Sequence, residues 1–476
     1  MISSDRMAAI DRNAAALGVP RKQLMESSGN AIARAVRDAT GPPASVAILA
    51  GRGNNGGDGF VAARFLEEYA VRTHLLGHPE RIRTEIAREN WAALEQGEFE
   101  TVVHRDSSSI ALESPDIVVD AMLGTGASGA PREPVASAVE AVNQSGATVI
   151  AVDMPTGRNA DTGDSPGVAV DADRIVTFHE RKPAHDSFNN VSVADIGIPQ
   201  AATTLVGPGD LEQFRRSRPP GEGGRVFVIG GGPYTGAPAL CAQAALRAGA
   251  ELAFVAAPET VADEIQGYSE DLIVQPYSGE RLTPDQIEGF LNTAHDYDDV
   301  VVLGPGLGRA EETNAAAAQF LESFEGRVVV DADGLAVVPD VDTDASVICT
   351  PNSEELVALG GPRSVDLEAD REAVTLLADE LDHVVLAKGA VDVISDGTQT
   401  RRARAGSPGM SVGGTGDVLA GVIAGLLGSA DCFDAACLAA YATGRAGEEV
   451  AETHASGLLA SDLLETLPTA VFGAEP

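Results

Sequence analysis

Short apolar runs that end on an aspartate or a glycine-rich loop, each followed by a helical stretch, recur along both halves of this chain. Residues 45–50 (SVAILA) run into GRGNNGGDGF, after which 61–69 is expected to be helical. Residues 116–119 (DIVV) end at Asp120 and 148–152 (TVIAV) end at Asp153, with a helical stretch over 134–143 between them. Continuous apolar strands alternating with helices predict a parallel sheet with crossover helices, whose strands are buried on both faces. Ligands of such sheets bind at the carboxyl ends of the strands, where these loops and aspartates fall.

The second half repeats the grammar without copying the first. Residues 225–229 (RVFVI) lead to GGGPYTGAP and an alanine-rich helix over 239–248, and further strands are expected at 300–303, 328–330, 347–349 and 384–386. GGTGD opens the last long helical pattern. Between the halves lies a polar run rich in Pro and Gly, 212–225 (EQFRRSRPPGEGGR), so domains are expected at 1–213 and 222–476. A length of 476 residues suits two such domains.

Charge restricts the partners. Lys and Arg total 33 against 71 Asp and Glu, a formal net charge of -38, and only Lys22, Lys182 and Lys388 are lysines. This argues against nucleic acid as a partner, since duplex affinity comes from cations that neutralise phosphates. The acids are scattered rather than blocked, which points to the surface of a halophilic protein from a high-salt cytoplasm. Four cysteines without zinc spacing suit a reducing interior. The N-terminus has no apolar signal region and the longest apolar stretch, 418–427, is too short for a bilayer, so a cytoplasmic, non-membrane protein is expected. His74 and His78, four apart in a strand-like stretch, read as packed or solvated rather than metal-binding.

In the first half, five glycines in GRGNNGGDGF let backbone approach a phosphate, and a helix N-terminus offers free N–H groups. No Gly-Lys-Ser/Thr follows, so it is not a Walker loop. Asp120 and Asp153 at neighbouring strand ends suggest an oxygen-lined pocket for a hard cation or for proton transfer, although either could simply cap a turn. These motifs, from Met25-Glu26 through NNGGDG, DAMLGTG and VDMPTGRNADTG to TFHERK, resemble the NAD(P)H-hydrate epimerase family over about residues 1–213. The resemblance implies that Asn54, Asn55, Gly56, Gly57 and Asp58 cradle the hydrated dinucleotide. The loop of Gly124, Thr125, Gly126, Ala127, Ser128, Gly129 and Ala130 would do so with them. It places Asp153 at the reacting ring, and Asn55, Asp120 and Thr156 around a potassium ion, with Thr156 where the family usually has Ser.

In the second half, GGPYTGAP, VVLGPGLG, DADGL, AKGAVD and GMSVGGTGDVLAG form an ordered series. Gly413, Gly414 and Gly416 expose N–H groups at a helix N-terminus, which can hold charge on a transferring phosphoryl group. Asp417 beside them can accept a hydroxyl proton; the bland alternative is a helix cap. The series resembles the ribokinase-like superfamily and, within it, the ADP/ATP-dependent NAD(P)H-hydrate dehydratases, over about 222–470. The expected architecture is thus a Rossmann-like three-layer domain followed by a ribokinase-like α/β domain. The resemblance implies nucleotide contacts from Lys388, Gly389, Ala390, Val391, Asp392 and Gly416. It implies hydrate contacts from Ala237, Gly306, Asn352 and Asp417, with Mg²⁺ on the phosphates of ADP or ATP. Asn352 stands where the family commonly has His.

The expected activity is repair of hydrated NADH and NADPH (NADHX and NADPHX). The first half would epimerise the R and S hydrates. The second would phosphorylate the ring hydroxyl of the S form and eliminate phosphate, in a chain expected to form a homo-oligomer. The alternative is a ribokinase-like small-molecule kinase with a fused non-catalytic sensor or binding domain.

Overall fold

A computed structural model of the chain describes residues 1–219, 223–297, 300–364 and 366–473. It divides into two compact units, Met1–Ala202 and Thr203–Pro476.

The first unit is built on seven strands: β1 (Ser45–Ala50), β2 (Ala70–Leu76), β3 (Thr101–His104), β4 (Ile117–Ala121), β5 (Thr148–Val152), β6 (Arg174–Phe178) and β7 (Val191–Ala194). They pair in the order β3-β2-β1-β4-β5-β6-β7, all parallel. The order reverses between β1 and β4, which opens a crevice above their carboxyl ends. Alternate residues of β1 feed two cores, Ile48 toward Phe60 and Val119 on one face and Leu49 toward Val118 and Val139 on the other. That two-sided burial is why the strand reads as an unbroken apolar run.

The loop after β1 is shorter than its glycine content suggests. The helix Asn54–Arg64 begins at NNGGDG itself and not at residue 61, and it ends before residue 69. The glycines serve its seat on the sheet. A Cβ on Gly57 would lie 2.8 Å from Met25 Sδ, and one on Gly59 would lie 2.9 Å from Ala121 Cβ. Both are closer than side-chain carbons approach, so the helix sits against its neighbours only because these side chains are missing.

The second unit holds β8 (Arg225–Ile229), β9 (Leu252–Pro258), β10 (Ile273–Tyr277), β11 (Val300–Leu303), β12 (Arg327–Val330), β13 (Ser346–Cys349), β14 (Val384–Ala387), β15 (Asp392–Ser395) and β16 (Thr400–Ala403). Their order is β10-β9-β8-β11-β12-β13-β14-β15-β16, parallel as far as β14 and antiparallel for the last two pairings. Helices Gly236–Arg247, Thr415–Leu426, Cys432–His454 and Leu463–Phe472 pack on one face. Ile287–Asp296, Glu311–Ser323 and Arg371–Leu381 pack on the other. The helix opened by GGTGD is therefore followed by two more.

The units divide at 202/203 and not at the expected residue 213. The helix Pro208–Ser217 belongs to the second unit: Leu211 and Phe214 enter its core, and Asp210 receives Arg401 in a fork of 2.8 and 3.0 Å. With Phe214 as its one buried residue in the polar run 212–225, the end of this docked helix looked like a linker. Residues 220–222, inside the expected linker, lie outside the described residues. All four cysteines are free thiols, and no described helix is long and apolar enough to cross a membrane.

Candidate active sites

At the carboxyl end of β4, Asp120 is fully buried. Its carboxylate accepts the Thr156 N–H at 2.8 Å, the Thr156 hydroxyl at 2.7 Å and the Met122 N–H at 3.2 Å. The Leu123 N–H donates to Thr156 Oγ1 at 3.1 Å, and Asn55 Nδ2 donates to Leu123 O, also at 3.1 Å. Asn55, Asp120 and Thr156 are therefore joined through one loop. Burial pushes the Asp120 carboxyl up to about 6, with the Thr156 hydrogen bonds opposing it. Among the described residues no cationic side chain touches Asp120. A carboxylate, a threonine hydroxyl and an amide oxygen form the all-oxygen donor set that suits a hard cation.

Gly124 packs on Asn55, a Cβ there lying 3.3 Å from the Asn55 Cβ. Thr125 and Ala127 are half-buried, while Gly126, Ser128, Gly129 and Ala130 face solvent. Between this loop and the one after β5 lies a cleft of about 300 Å³, lined by Leu123, Gly124, Ala127, Gly129, Thr156 and Arg158 among others. Asn54 is exposed and Asn55 half-buried at the adjoining helix start, with Gly56, Gly57 and Asp58 buried behind them.

Asp153 follows β5 in a strained γ-turn: its φ is +63° and the Met154 N–H bonds back to Val152 O at 2.8 Å. A second such turn follows β6, with His179 at φ +64° and the Glu180 N–H on Phe178 O at 2.7 Å. The two turns bring VDMPTG and TFHERK together. Lys182 is wholly buried, and its ammonium lies 2.8 Å from Asp153 Oδ1 and donates to Thr177 Oγ1 at 3.0 Å. It also reaches the carbonyls of Phe178 and Glu180 at 3.3 and 3.4 Å. Thr177 Oγ1 donates to the same carboxylate oxygen at 2.7 Å. His185 Nδ1 accepts the Lys182 N–H at 3.0 Å, so the ring proton is on Nε2, which donates to Asp153 O at 2.8 Å. Burial holds His185 below its usual range and neutral.

Two more carboxyls complete this cluster. Asp58, 9% exposed, is raised well above its ordinary range by burial and by the charges of Asp153 and Asp11. Asp11, on the helix Ser4–Ala16, is pushed up to about 6 by burial, with Arg21 and Lys182 opposing. Sequence reasoning assigned no role here to Asp11, Thr177, Lys182 or His185. Lys182 was legible as one of three lysines in an acidic chain, whereas Asp11 carried no signal.

In the second unit, Asp331 closes β12, and its Oδ1 accepts the Thr350 hydroxyl at 2.6 Å and the Lys388 ammonium at 2.8 Å. A Cβ on Gly416 would lie 3.0 Å from Lys388 Nζ, so the first turn of the helix Thr415–Leu426 presses on the ion pair. No side chain caps this helix, and its N-cap Gly414 has φ +100°, leaving N–H groups to point outward. Asp417 is pushed up to about 7 by burial and the charge of Asp331, with Lys388 opposing. Burial opposes the charge on Lys388, but the carboxylate of Asp331 more than offsets this and its ammonium titrates above the ordinary range.

Around this centre the other expected contacts take separate places. Ala237 is half-buried in the first turn of the helix Gly236–Arg247. Gly306 has φ +72°, and a Cβ there would lie 2.4 Å from Tyr234 O, which locks VVLGPGLG against GGPYTG. Gly389, Ala390 and Val391 form the turn between β14 and β15, closed by the Gly389 N–H on Asp392 Oδ1 at 2.9 Å. Burial pushes Asp392 up to about 6. Asn352 caps the helix Ser353–Ala358: its Oδ1 accepts the N–H groups of Glu354 and Glu355 at 2.9 and 3.0 Å. Sequence reasoning passed over Asp331, although DADGL was among its motifs, and Thr350.

Residues 226–469 match the family described as NAD(P)H-hydrate dehydratase, and residues 21–184 match the YjeF-related protein N-terminus. Relatives span the whole chain. A bifunctional NAD(P)H-hydrate repair enzyme of Methanothermobacter thermautotrophicus is 43% identical, covering 97% of this chain and 94% of its own. One from Pyrobaculum aerophilum is 40% identical, covering 99% and 98%. In fold, the chain is similar to a Streptococcus mutans protein of known structure, SMU.573, with a TM-score of 0.50 at 21% identity over 56% of this chain and 99% of that one. With both halves matched in order, the chain belongs to the family of bifunctional NAD(P)H-hydrate repair enzymes.

Proposed function

We propose that this chain repairs hydrated NADH and NADPH, its first unit interconverting the R and S hydrates and its second dehydrating the S form at the expense of ADP or ATP. The observation that carries the reading is the pairing, in one chain of this family, of two prepared proton-transfer groups. Asp153 is held by Lys182 in one unit, and Asp417 stands at an open helix N-terminus beside Lys388–Asp331 in the other.

In the dehydratase site the hydroxyl on ring carbon 6 is a poor leaving group until it is phosphorylated. Asp417 takes the hydroxyl proton as the oxygen attacks the terminal phosphoryl group. The N–H groups of the GGTG turn and Lys388 hold the negative charge that develops. The ring nitrogen then expels phosphate and the reduced ring is restored. Mg²⁺ bound with the nucleotide would screen the phosphate charge. The turn 389–392 is assigned to the nucleotide, and Ala237, Gly306 and Asn352 Nδ2 to the hydrate.

In the epimerase site Asp153 is the proton shuttle for the interconversion, and the loops 54–58 and 124–130 hold the dinucleotide. Asn55, Asp120 and Thr156 would hold potassium, whose chemistry is to balance the buried Asp120 charge and fix the loop. The scattered -38 charge supports a protein of a high-salt cytoplasm, and a homo-oligomer remains part of the proposal.

The test is to incubate the full chain with each hydrate plus ADP or ATP and follow the return of reduced-nicotinamide absorbance. Recovery from both forms is expected, with Asp153→Ala slowing only the R form. No recovery from the S form with either nucleotide refutes the reading.

A further inference from the structure

The cleft of about 300 Å³ in the first unit is walled by two loops that brace one another. A Cβ on Gly167 would lie 2.9 Å from Ala130 Cβ, so the loop 124–130 and the loop after β5 touch there. Inside the second loop, Asn159 Oδ1 accepts the N–H groups of Asp161 and Thr162 at 2.9 and 3.0 Å. The Asn159 N–H donates to Asp164 O at 2.9 Å, and the Ser165 hydroxyl donates to Gly157 O at 3.1 Å. A wall tied across itself in this way presents its side chains in one arrangement before any ligand arrives. Its lining is poor in positive charge. Gly124, Ala127 and Gly129 let a ligand come close but carry none, and Asp164 brings a carboxylate that accepts the Thr162 hydroxyl at 2.8 Å. Arg158 is the one cation of the described lining.

The guanidinium carbon of Arg158 lies 5.8 Å from the centre of the Phe188 ring, and Phe188 packs on Met154, Ala160 and Ala184. An aromatic ring attracts a guanidinium without using up its N–H donors. Among the described residues this guanidinium forms no ion pair and no hydrogen bond, in a chain where acids outnumber cations 71 to 33. Its fork is open to an oxyanion of matching geometry, and phosphate is such an oxyanion. The hydrated dinucleotide carries phosphate in the diphosphate bridge of both forms, and on a ribose as well in NADPHX. We infer that Arg158 is the phosphate-binding residue of the epimerase cleft, its guanidinium gripping an oxyanion of the hydrated dinucleotide. The inference rests on the epimerase reading above. A chain of net charge -38 repels a polyanionic substrate from a distance, and a guanidinium fixed in the cleft offsets that repulsion at contact. Arg158 thereby sets how tightly the substrate is held, while the chemistry stays with Asp153.

The experiment uses the full chain without ADP or ATP, so that the second unit stays idle, and follows conversion of R-NADHX and R-NADPHX to their S forms by chromatography. Arg158→Ala is expected to raise KM about tenfold or more with kcat within about threefold. A rise for both substrates assigns the guanidinium to the diphosphate bridge, and a rise for NADPHX alone assigns it to the ribose phosphate. Arg158→Lys keeps the charge but not the fork and is expected to recover part of the loss. A KM within about twofold of wild type for both substrates overturns the proposal. So does a fall in kcat at unchanged KM, or a lysine variant that binds no better than the alanine one. Inorganic pyrophosphate is expected to compete with the R hydrate in the wild-type chain, and its failure to compete overturns the proposal even if the variants do not fold. A wild-type chain that converts the R forms no faster than they convert spontaneously removes the epimerase reading itself.

Discussion

The helix that carries Asp417 packs backbone to backbone on the helix Gly236–Arg247, and one substitution tests that contact sharply. A Cβ on Gly421 would lie 2.0 Å from the carbonyl oxygen of Cys241 and 2.9 Å from Ala244 Cβ. Carbon and carbonyl oxygen settle at about 3.3 Å, so Gly421→Ala must part the helices by about 1.3 Å. Helix propensity alone favours the alanine by about 1 kcal/mol. Overpacking a close contact costs about 3 kcal/mol at the upper end, which applies here because the opposing atom is backbone and cannot rotate away. The net expectation is a loss of about 2 kcal/mol, or a fall in Tm of about 5 °C for a unit of this size. The control is Gly289 in the helix Ile287–Asp296, where an added Cβ meets nothing within 4 Å. Gly289→Ala should gain about 1 kcal/mol by the same propensity. Thermal and urea unfolding of both variants measure the difference. Because Asp417 sits in the first turn of the displaced helix, dehydratase kcat should also fall, by about 100-fold for a 1 Å misplacement. If Gly421→Ala melts at or above the wild type, or Gly289→Ala falls equally, the argument from backbone contact is wrong.

Asp417 must be ionised to act as a base, and it is pushed up to about 7, so dehydratase kcat should fall about tenfold per pH unit below that point and level off above it; a rate flat from pH 5 to pH 8 refutes the assignment. Lys388→Met leaves Asp331, only 2% exposed, without its cation. It should lower stability by about 3 kcal/mol in urea unfolding, and a change under about 1 kcal/mol would show that the pair is inessential to the fold. Raising KCl from 0.1 to 2 M shortens the screening length from ~10 Å to ~2 Å, and a chain of net charge -38 should melt higher and work faster as it does. Full stability and activity in dilute buffer would remove the high-salt reading. A gain seen with KCl but not with NaCl would report the Asp120 site.

Much of this was readable from residue order. Apolar runs such as SVAILA and TVIAV are β1 and β5 because strands buried on both faces have no polar side to interrupt them. Asp120, Asp153 and Asp417 lie at strand ends and a helix start because parallel sheets put their loops there. Close packing was not readable. NNGGDG looked like loop because glycine is a poor helix former, yet there it gives the helix a seat against Met25 and Ala121. The end of the helix Pro208–Ser217, from residue 212 on, looked like linker because Phe214 alone of those residues is buried. The company each charged group keeps is set by side chains far apart in the sequence. Asp11 feels Lys182 from 171 positions away, and Asp331 meets Lys388 across 57. No local pattern encodes either meeting.

The three lysines differ in what a reagent in solution could reach. Lys182 is sealed and clamped by Asp153, Lys388 is mostly covered and bound to Asp331, while the Lys22 side chain is 60% exposed in a surface pair with Glu89. A chain of this size ordinarily offers amine-directed chemistry many targets. Here only Lys22 and the N-terminal amine are open, since the other two ammoniums are withdrawn into carboxylates and hold no free lone pair for an acylating agent. Amine-directed tethers or dyes therefore attach only at Lys22 and the N-terminal amine, both on the first unit, with the side chains of both sites left unmodified.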